Sequence, residues 1–345
     1  MATQATVFPA PVPSRSRQWL QRSLAGLTAA TMALAAAGAA YQQVQTAQDR
    51  KQFPAPGELV SIGDHRLHIH AMGSHHSGPT IVLESGLGLP SAAWAWVQPE
   101  VAEFARVVSY DRAGLGWSDN DHAPVDAPET AEQLYALLKA AEVPGPYILV
   151  GHSIGGLFVR QFADLYPDEV AGLVMVDVSH PDQMARLPKP AVDMQLNAFK
   201  LYQASPWLAR FGILRATNLH GRLLQSHLLP PTAQAAIEAF YSTVGHTQAM
   251  SQETQQWEVI TGQVRGTGDL GRRPLVVLSG DPAVEPDQAH WLAEWQALHA
   301  ELAELSTQGE HRLIEGADHN SLLLNSDHAP AVVNAIRDVV AQVQD

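Results

Sequence analysis

The stretch from Tyr147 to Gly156, reading Tyr-Ile-Leu-Val-Gly-His-Ser-Ile-Gly-Gly, constrains this chain more than any other. Four strand-forming residues run into Gly151-His152-Ser153-Ile154-Gly155, a G-x-S-x-G pattern. A helix-like segment follows from Leu157 to Leu165, closed by Tyr166-Pro167. A serine set between a strand and a helix must turn sharply, and the bend leaves no room for Cβ atoms two residues to either side. Gly151 and Gly155 meet that requirement, and the hydroxyl is carried out above the sheet edge. Gly156 lets the helix lie close to the sheet. The N-terminus of that helix favours negative charge developing beside the serine. An idle serine in a glycine-rich turn is the bland alternative, and the rest of the chain weighs against it.

A length of 345 residues suits one large α/β domain with an insertion, or two modest domains. With 21 basic and 35 acidic residues the net charge is −14, which argues against a nucleic-acid partner. There is no cysteine, so disulfides and thiolate chemistry are excluded. Residues 1–57 read as lying outside the fold. Met1 to Gln48 holds no acidic residue, and its only charges are Arg15, Arg17 and Arg22, giving a basic tail over 1–22. Ser23 to Tyr41 is an uncharged run of 19 residues rich in Ala, Leu and Gly. That is close to the roughly 20 residues a helix needs to span a bilayer. Arginines before the run, and none until Arg50, put the N-terminus in the cytoplasm and the catalytic domain outside. A cleaved signal peptide competes with this anchor, since Ala37-Gly38-Ala39 fits an A-x-A site and would give a secreted protein. Residues 42–57 read as a polar linker.

From Glu58 the pattern changes to short strands separated by turns. Glu58–Ile62 and Arg66–Met72 flank Gly63-Asp64, a hairpin pair. His65, His68, His70, His75 and His76 crowd here without a further metal ligand at helpful spacing, so they are expected on a solvated strand face. Residues 80–84 form an apolar run suited to a strand buried on both faces, and open into Ser85-Gly86-Leu87-Gly88. Backbone N–H groups of such a glycine loop can bind an oxyanion. Strands are expected again at 106–110, 170–176, 274–279 and 311–315. Thr130 to Gln133 resembles a capping box opening a helix. This alternation specifies a mostly parallel sheet covered on both faces, with ligands beyond the C-terminal strand ends. Residues 179–271 break the rhythm with helical stretches and no clear buried strand, as expected of a cap inserted into a core of 58–178 and 272–345.

The order of Ser153, an acid and then His319, each at the C-terminal end of a strand, resembles the α/β-hydrolase superfamily. The likeness covers about 58–345 and rests on four places. They are Glu84 to Gly88, Tyr110-Asp111-Arg112-Ala113-Gly114-Leu115-Gly116, Gly151 to Gly156, and Gly316-Ala317-Asp318-His319. It implies an eight-stranded sheet with an antiparallel first hairpin and a helical cap between strands 6 and 7. It also implies that Leu87 and Ile154 supply the N–H groups of an oxyanion hole. The residues alone call for a base to activate the serine, and a neutral imidazole does this near pH 7. His319 is the best placed, and a carboxylate must orient it. His152 is expected to point elsewhere. The family often carries its acid as Gly-x-x-Asp after strand 7, but here that register ends on Ala283. Some relatives carry the acid at the end of strand 6 instead, where Asp177 stands, so the resemblance favours Asp177 over Asp281.

These residues suggest a serine hydrolase that cleaves a carboxylic ester, or less readily an amide, with no metal or organic cofactor. Dehalogenases and epoxide hydrolases resemble the chain in layout but need a carboxylate where Ser153 stands. An aminopeptidase of the proline-releasing type would want an acidic cap site, for which Glu238, Glu253 and Glu258 are the candidates. A membrane-tethered binding protein without catalysis is the reading from another class.

Overall fold

The computed structural model describes residues 15–286 and 288–344. Eight strands form one sheet: β1 (Glu58–Ser61), β2 (Arg66–Met72), β3 (Thr80–Glu84), β4 (Arg106–Tyr110), β5 (Tyr147–His152), β6 (Val170–Val176), β7 (Leu275–Asp281) and β8 (Gly309–Glu315). Their spatial order is β1-β2-β4-β3-β5-β6-β7-β8. β2 runs antiparallel to both β1 and β4, and every other pairing is parallel. The sheet is thus mixed but mostly parallel.

Successive side chains of a strand point to opposite faces, so a strand buried on both sides must be apolar at every position. β5 shows the consequence. Ile148 and Val150 join one apolar cluster with Leu83, Val176, Leu278 and the closing helix Ala329–Gln344. Tyr147 and Leu149 join the other, with Val82, Met175, Leu137 and Phe162. The helix Ala127–Ala140 on that second face begins one turn earlier than the Thr130 box implies. Asp126 is its N-cap and accepts from Glu129 N at 2.8 Å.

Residues between β6 and β7 form helices, the longest being Lys189–Arg210, Pro231–Tyr241, Val244–Gln255 and Trp257–Val264. At the N-terminus, Arg15–Gln52 is one continuous helix of 38 residues. The first 14 residues of the expected basic tail lie outside the described residues. Residues 18–34 of the helix are exposed throughout. Beyond them Ala35, Gly38, Ala39, Gln42, Thr46 and Asp49 form a covered stripe at helical spacing.

The structure therefore departs from the expected linker, because 42–52 is helical and docked. Gln42 is buried and donates to the Ser242 carbonyl at 2.6 Å, and Asp49 pairs with Arg215 at 2.6 Å. Polar and small side chains make this contact, so no apolar stripe announced it. The solvated histidine face is also corrected. His68 is fully buried on β2, and its Nδ1–H donates to Asp111 Oδ2 at 2.9 Å.

Candidate active site

Ser153 follows β5 with φ of 56°, in the left-handed region that side chains avoid. The neighbouring glycines explain how the turn closes. A Cβ on Gly155 would lie 2.7 Å from the carbonyl oxygens of Glu84 and Ser85. One on Gly151 would meet the Gly155 backbone at 2.9 Å. Asp177 follows β6 and is also left-handed, at φ 44°. Its N–H still pairs with the Leu278 carbonyl at 2.8 Å, so the turn swings the carboxylate over the strand end.

His319 lies in the turn after β8. Asp318 braces that turn by accepting from Asn320 N at 3.0 Å and Ser321 N at 2.8 Å. The three side chains meet in one line. Ser153 Oγ–H donates to His319 Nε2 at 3.1 Å, and His319 Nδ1–H donates to Asp177 Oδ2 at 2.6 Å.

Asp177 is buried and receives two further donors, Gly280 N at 3.0 Å and Trp295 Nε1 at 3.2 Å. Burial pushes its carboxyl up, but the His319 hydrogen bond and charge outweigh it and hold the group well below the usual carboxylate range. For His319, burial works against the charged ring, and the hydrogen bond and charge of Asp177 outweigh that too. Its pKa is raised above the ordinary imidazole value. Asp281 is differently placed. It is the last residue of β7, its Oδ1 accepts from Gln296 Nε2 at 3.1 Å, and it makes no hydrogen bond to His319.

His152, beside Ser153 in sequence, turns its ring away from the serine and toward the His319 backbone. Nε2–H donates to the His319 carbonyl at 3.1 Å and braces the backbone of that residue. Burial, then the neighbouring His319, lower its pKa to about 3, so it is neutral. A larger omission surrounds the Ser85 to Gly88 loop. Arg112 donates to the carbonyls of Ser85 at 2.7 Å and Gly86 at 2.8 Å. It also pairs with Glu84 and with Glu253, which comes from the helix Val244–Gln255. Glu253 Oε2 accepts from Gly88 N at 2.7 Å, and His246 of the same helix donates to the Gly88 carbonyl at 2.9 Å. A Cβ on Gly88, at φ 63°, would meet Met250 Cγ at 2.6 Å. His246, Met250 and Glu253 share one helix face, and the loop is seated against it. The signal for this lay in charged residues inside apolar surroundings, which a single sequence does not mark as buried.

Among the described residues, the N–H groups of Leu87 and Ile154 have no backbone or side-chain acceptor. Ser153, His319 and Asp177 open on a cavity of about 490 Å³, within the usual size for a small-molecule site. Its walls include Leu87, Leu187, Met194, Phe199, Tyr202, Leu223 and Trp257, mostly from the helices between β6 and β7.

A serine–imidazole–carboxylate line at the C-terminal edge of this sheet, its carboxylate buried and its serine and imidazole open to the cavity, is the arrangement of a hydrolase. The chain belongs to the alpha/beta hydrolase fold family, whose sequence profile matches residues 79–326. It is similar to the uncharacterized protein YqjL of Bacillus subtilis, at 28% identity over 78% of this chain and 86% of that one. Among solved structures it resembles the epoxide hydrolase CorEH with a TM-score of 0.64, at 20% identity over 83% of this chain and 98% of that one. It also resembles lip1 of Acinetobacter baumannii, named as a lipase, with a TM-score of 0.62, at 18% identity over 88% and 96%. At such identities the likeness to solved structures concerns the fold alone.

Proposed function

We propose that this hydrolase cleaves carboxylic esters through an acyl-enzyme on Ser153. The observation that carries the reading is the unbroken hydrogen-bond line from Ser153 Oγ through His319 to Asp177, at 3.1 and 2.6 Å. Ser153 Oγ attacks the ester carbonyl while His319 Nε2 takes its proton. The tetrahedral oxyanion is held by the N–H groups of Leu87 and Ile154, each donor contributing on the order of 3 kcal/mol. Collapse expels the alcohol, which leaves with the proton from His319. Water then attacks the acyl group, passes its proton to the same ring, and the acid departs as Ser153 regains its hydrogen. Asp177 keeps the ring in the tautomer with Nδ1–H and stabilises the imidazolium. The chemistry calls on no metal or organic cofactor.

A carboxylate nucleophile, as an epoxide hydrolase or dehalogenase of this layout would need, has no counterpart at Ser153. The aminopeptidase reading loses its acidic site. Glu253 is committed to Arg112 and Gly88, Glu238 accepts from Ser226 at 2.7 Å, and neither these nor Glu258 lines the cavity. Residues 179–271 act as a cap over a core of 58–178 and 272–345. The exposed apolar helix, long enough to cross a bilayer, anchors the protein with the catalytic part outside the cytoplasm. Docking of 35–49 on the cap favours this over removal at Ala37–Ala39, which would cut through the packed segment.

A fluorophosphonate probe tests the chemistry. The full chain is expected to be labelled, and Ser153→Ala to abolish both labelling and p-nitrophenyl ester hydrolysis, a fall of about 10⁶ in kcat. A chain that folds but neither reacts nor turns over esters of any acyl length sinks the proposal.

A further inference from the structure

The helices between β6 and β7 expose large apolar side chains away from the catalytic line. Trp207 is 64% exposed, Ile213 45% and Phe211 38%. Exposed apolar side chains grouped in this way mark interaction surfaces. These three lie around a corner that touches the N-terminal helix. A Cβ on Gly38 would lie 2.4 Å from the Phe211 carbonyl, and one on Gly212 would lie 3.3 Å from the Tyr41 ring. Arg215 fixes the same corner by donating to Gln42 Oε1 at 3.2 Å and Asp49 Oδ2 at 2.6 Å.

That contact falls on the last turn of the uncharged run. Trp19 and Tyr41, both exposed, are 22 residues apart, about 33 Å along a helix and close to the ~30 Å hydrocarbon thickness. Aromatics at both ends of a span sit at the two membrane interfaces. Whatever packs on Gly38 and Tyr41 then lies at interfacial depth. Charge points the same way independently. The chain carries −14 overall, yet from Met194 to Ile237 it has no Asp or Glu and holds Lys200, Arg210 and Arg222 besides Arg215, which is paired with Asp49. The Arg210 guanidinium lies over the Trp207 ring at 5.0 Å. Basic groups beside exposed apolar ones are the chemistry of a surface that rests on anionic lipid.

We propose that Trp207, Phe211 and Ile213 rest in the headgroup region of an anionic bilayer beside the anchor helix, with Arg210 facing lipid phosphates. The inference rests on the reading that the N-terminal helix crosses the membrane. The protein is then held at two contacts and cannot swivel freely on its anchor.

The lack of native cysteine makes the test direct. Full-length chains carrying Ala30→Cys, Trp207→Cys, Ile213→Cys or Gln308→Cys are labelled with an environment-sensitive fluorophore. They are reconstituted in vesicles of phosphatidylcholine and phosphatidylglycerol holding shallow or deep nitroxide lipids. Deep nitroxides should quench the label at 30, and shallow ones those at 207 and 213, by about twofold or more over the label at 308. If 30 is quenched while 207 and 213 match 308, the anchor stands and the second contact is overturned. If 30 is unquenched, the anchor reading fails and takes the proposal with it. Trp207→Cys chains that oxidise to dimers with unquenched label would assign the patch to a second copy, which also overturns it.

Discussion

The ends of β6 and β7 are neighbours in the sheet, and each carries an aspartate. Asp177 stands one residue past its strand, in a left-handed turn, and its carboxylate projects over the edge to meet His319. Asp281 is still inside its strand, in register with Glu315 of β8, and its side chain stands beside the sheet against Gln296. The chemical group is the same and the strands are neighbours, but the register Val176↔Leu278 sets Asp281 two rungs beyond Asp177. The carboxylate in the left-handed turn can orient an imidazole, and the one still inside its strand braces the helix Ala289–Ala303 through Gln296. Such a left-handed turn costs about 1–3 kcal/mol and persists because its surroundings hold it. Here the Leu278 carbonyl, Gly280 N and Trp295 Nε1 do the holding.

Exchanging the two acids separately breaks or sustains this contrast. Asp177→Asn is expected to lower kcat/KM for a p-nitrophenyl ester by about 10⁴, since an amide presents the wrong partner to Nδ1–H. Near-wild-type turnover in that variant would remove Asp177 from the mechanism.

The pH profile should move next. On the proposed mechanism His319 must be neutral to accept the serine proton, and its pKa is raised above the ordinary imidazole value of about 6.5. Activity should therefore fall as pH drops through a midpoint above that value. In Asp177→Asn the main raising partner is gone while burial and the smaller influence of Asp318 remain, so the midpoint of the residual activity should move down. Trp295→Phe removes one donor from Asp177 and should cost about fivefold in kcat/KM, on the order of 1 kcal/mol. Smallest of all is Asp281→Asn. Kinetics should change by less than about twofold, thermal stability by no more than about 0.5 kcal/mol, and the pH midpoint not at all.

Much of this contrast is legible in the sequence itself. Gly151, Gly155 and the apolar run before them specify a sharp bend at Ser153, because the steric demand is local. The sheet was legible for a related reason, since strands buried on both faces leave continuous apolar runs. Asp177 and Asp281 could be ranked by strand position, but the turn that aims one of them depends on pairing with β7, which is long-range. Arg112 and Glu253 were not legible as partners. They are 141 residues apart and look like ordinary surface charges until the fold buries both. The docked helix over 42–52 escaped for the opposite reason: its contact is made by Gln42, Thr46 and Asp49, residues that also compose linkers.

The pairing of Glu253 with Gly88 N has a practical consequence for anyone reshaping this protein. Exchanging the helices between β6 and β7 for those of a relative, in order to alter which molecules enter, withdraws one of the two carboxylates paired with Arg112, the one that also fixes the turn carrying Leu87. A chimera would need Glu253, His246 and a side chain the size of Met250 at matching positions on the grafted helix. Without them the transplanted helices leave that buried cation with Glu84 as its one remaining carboxylate partner and the Gly88 N–H without an acceptor.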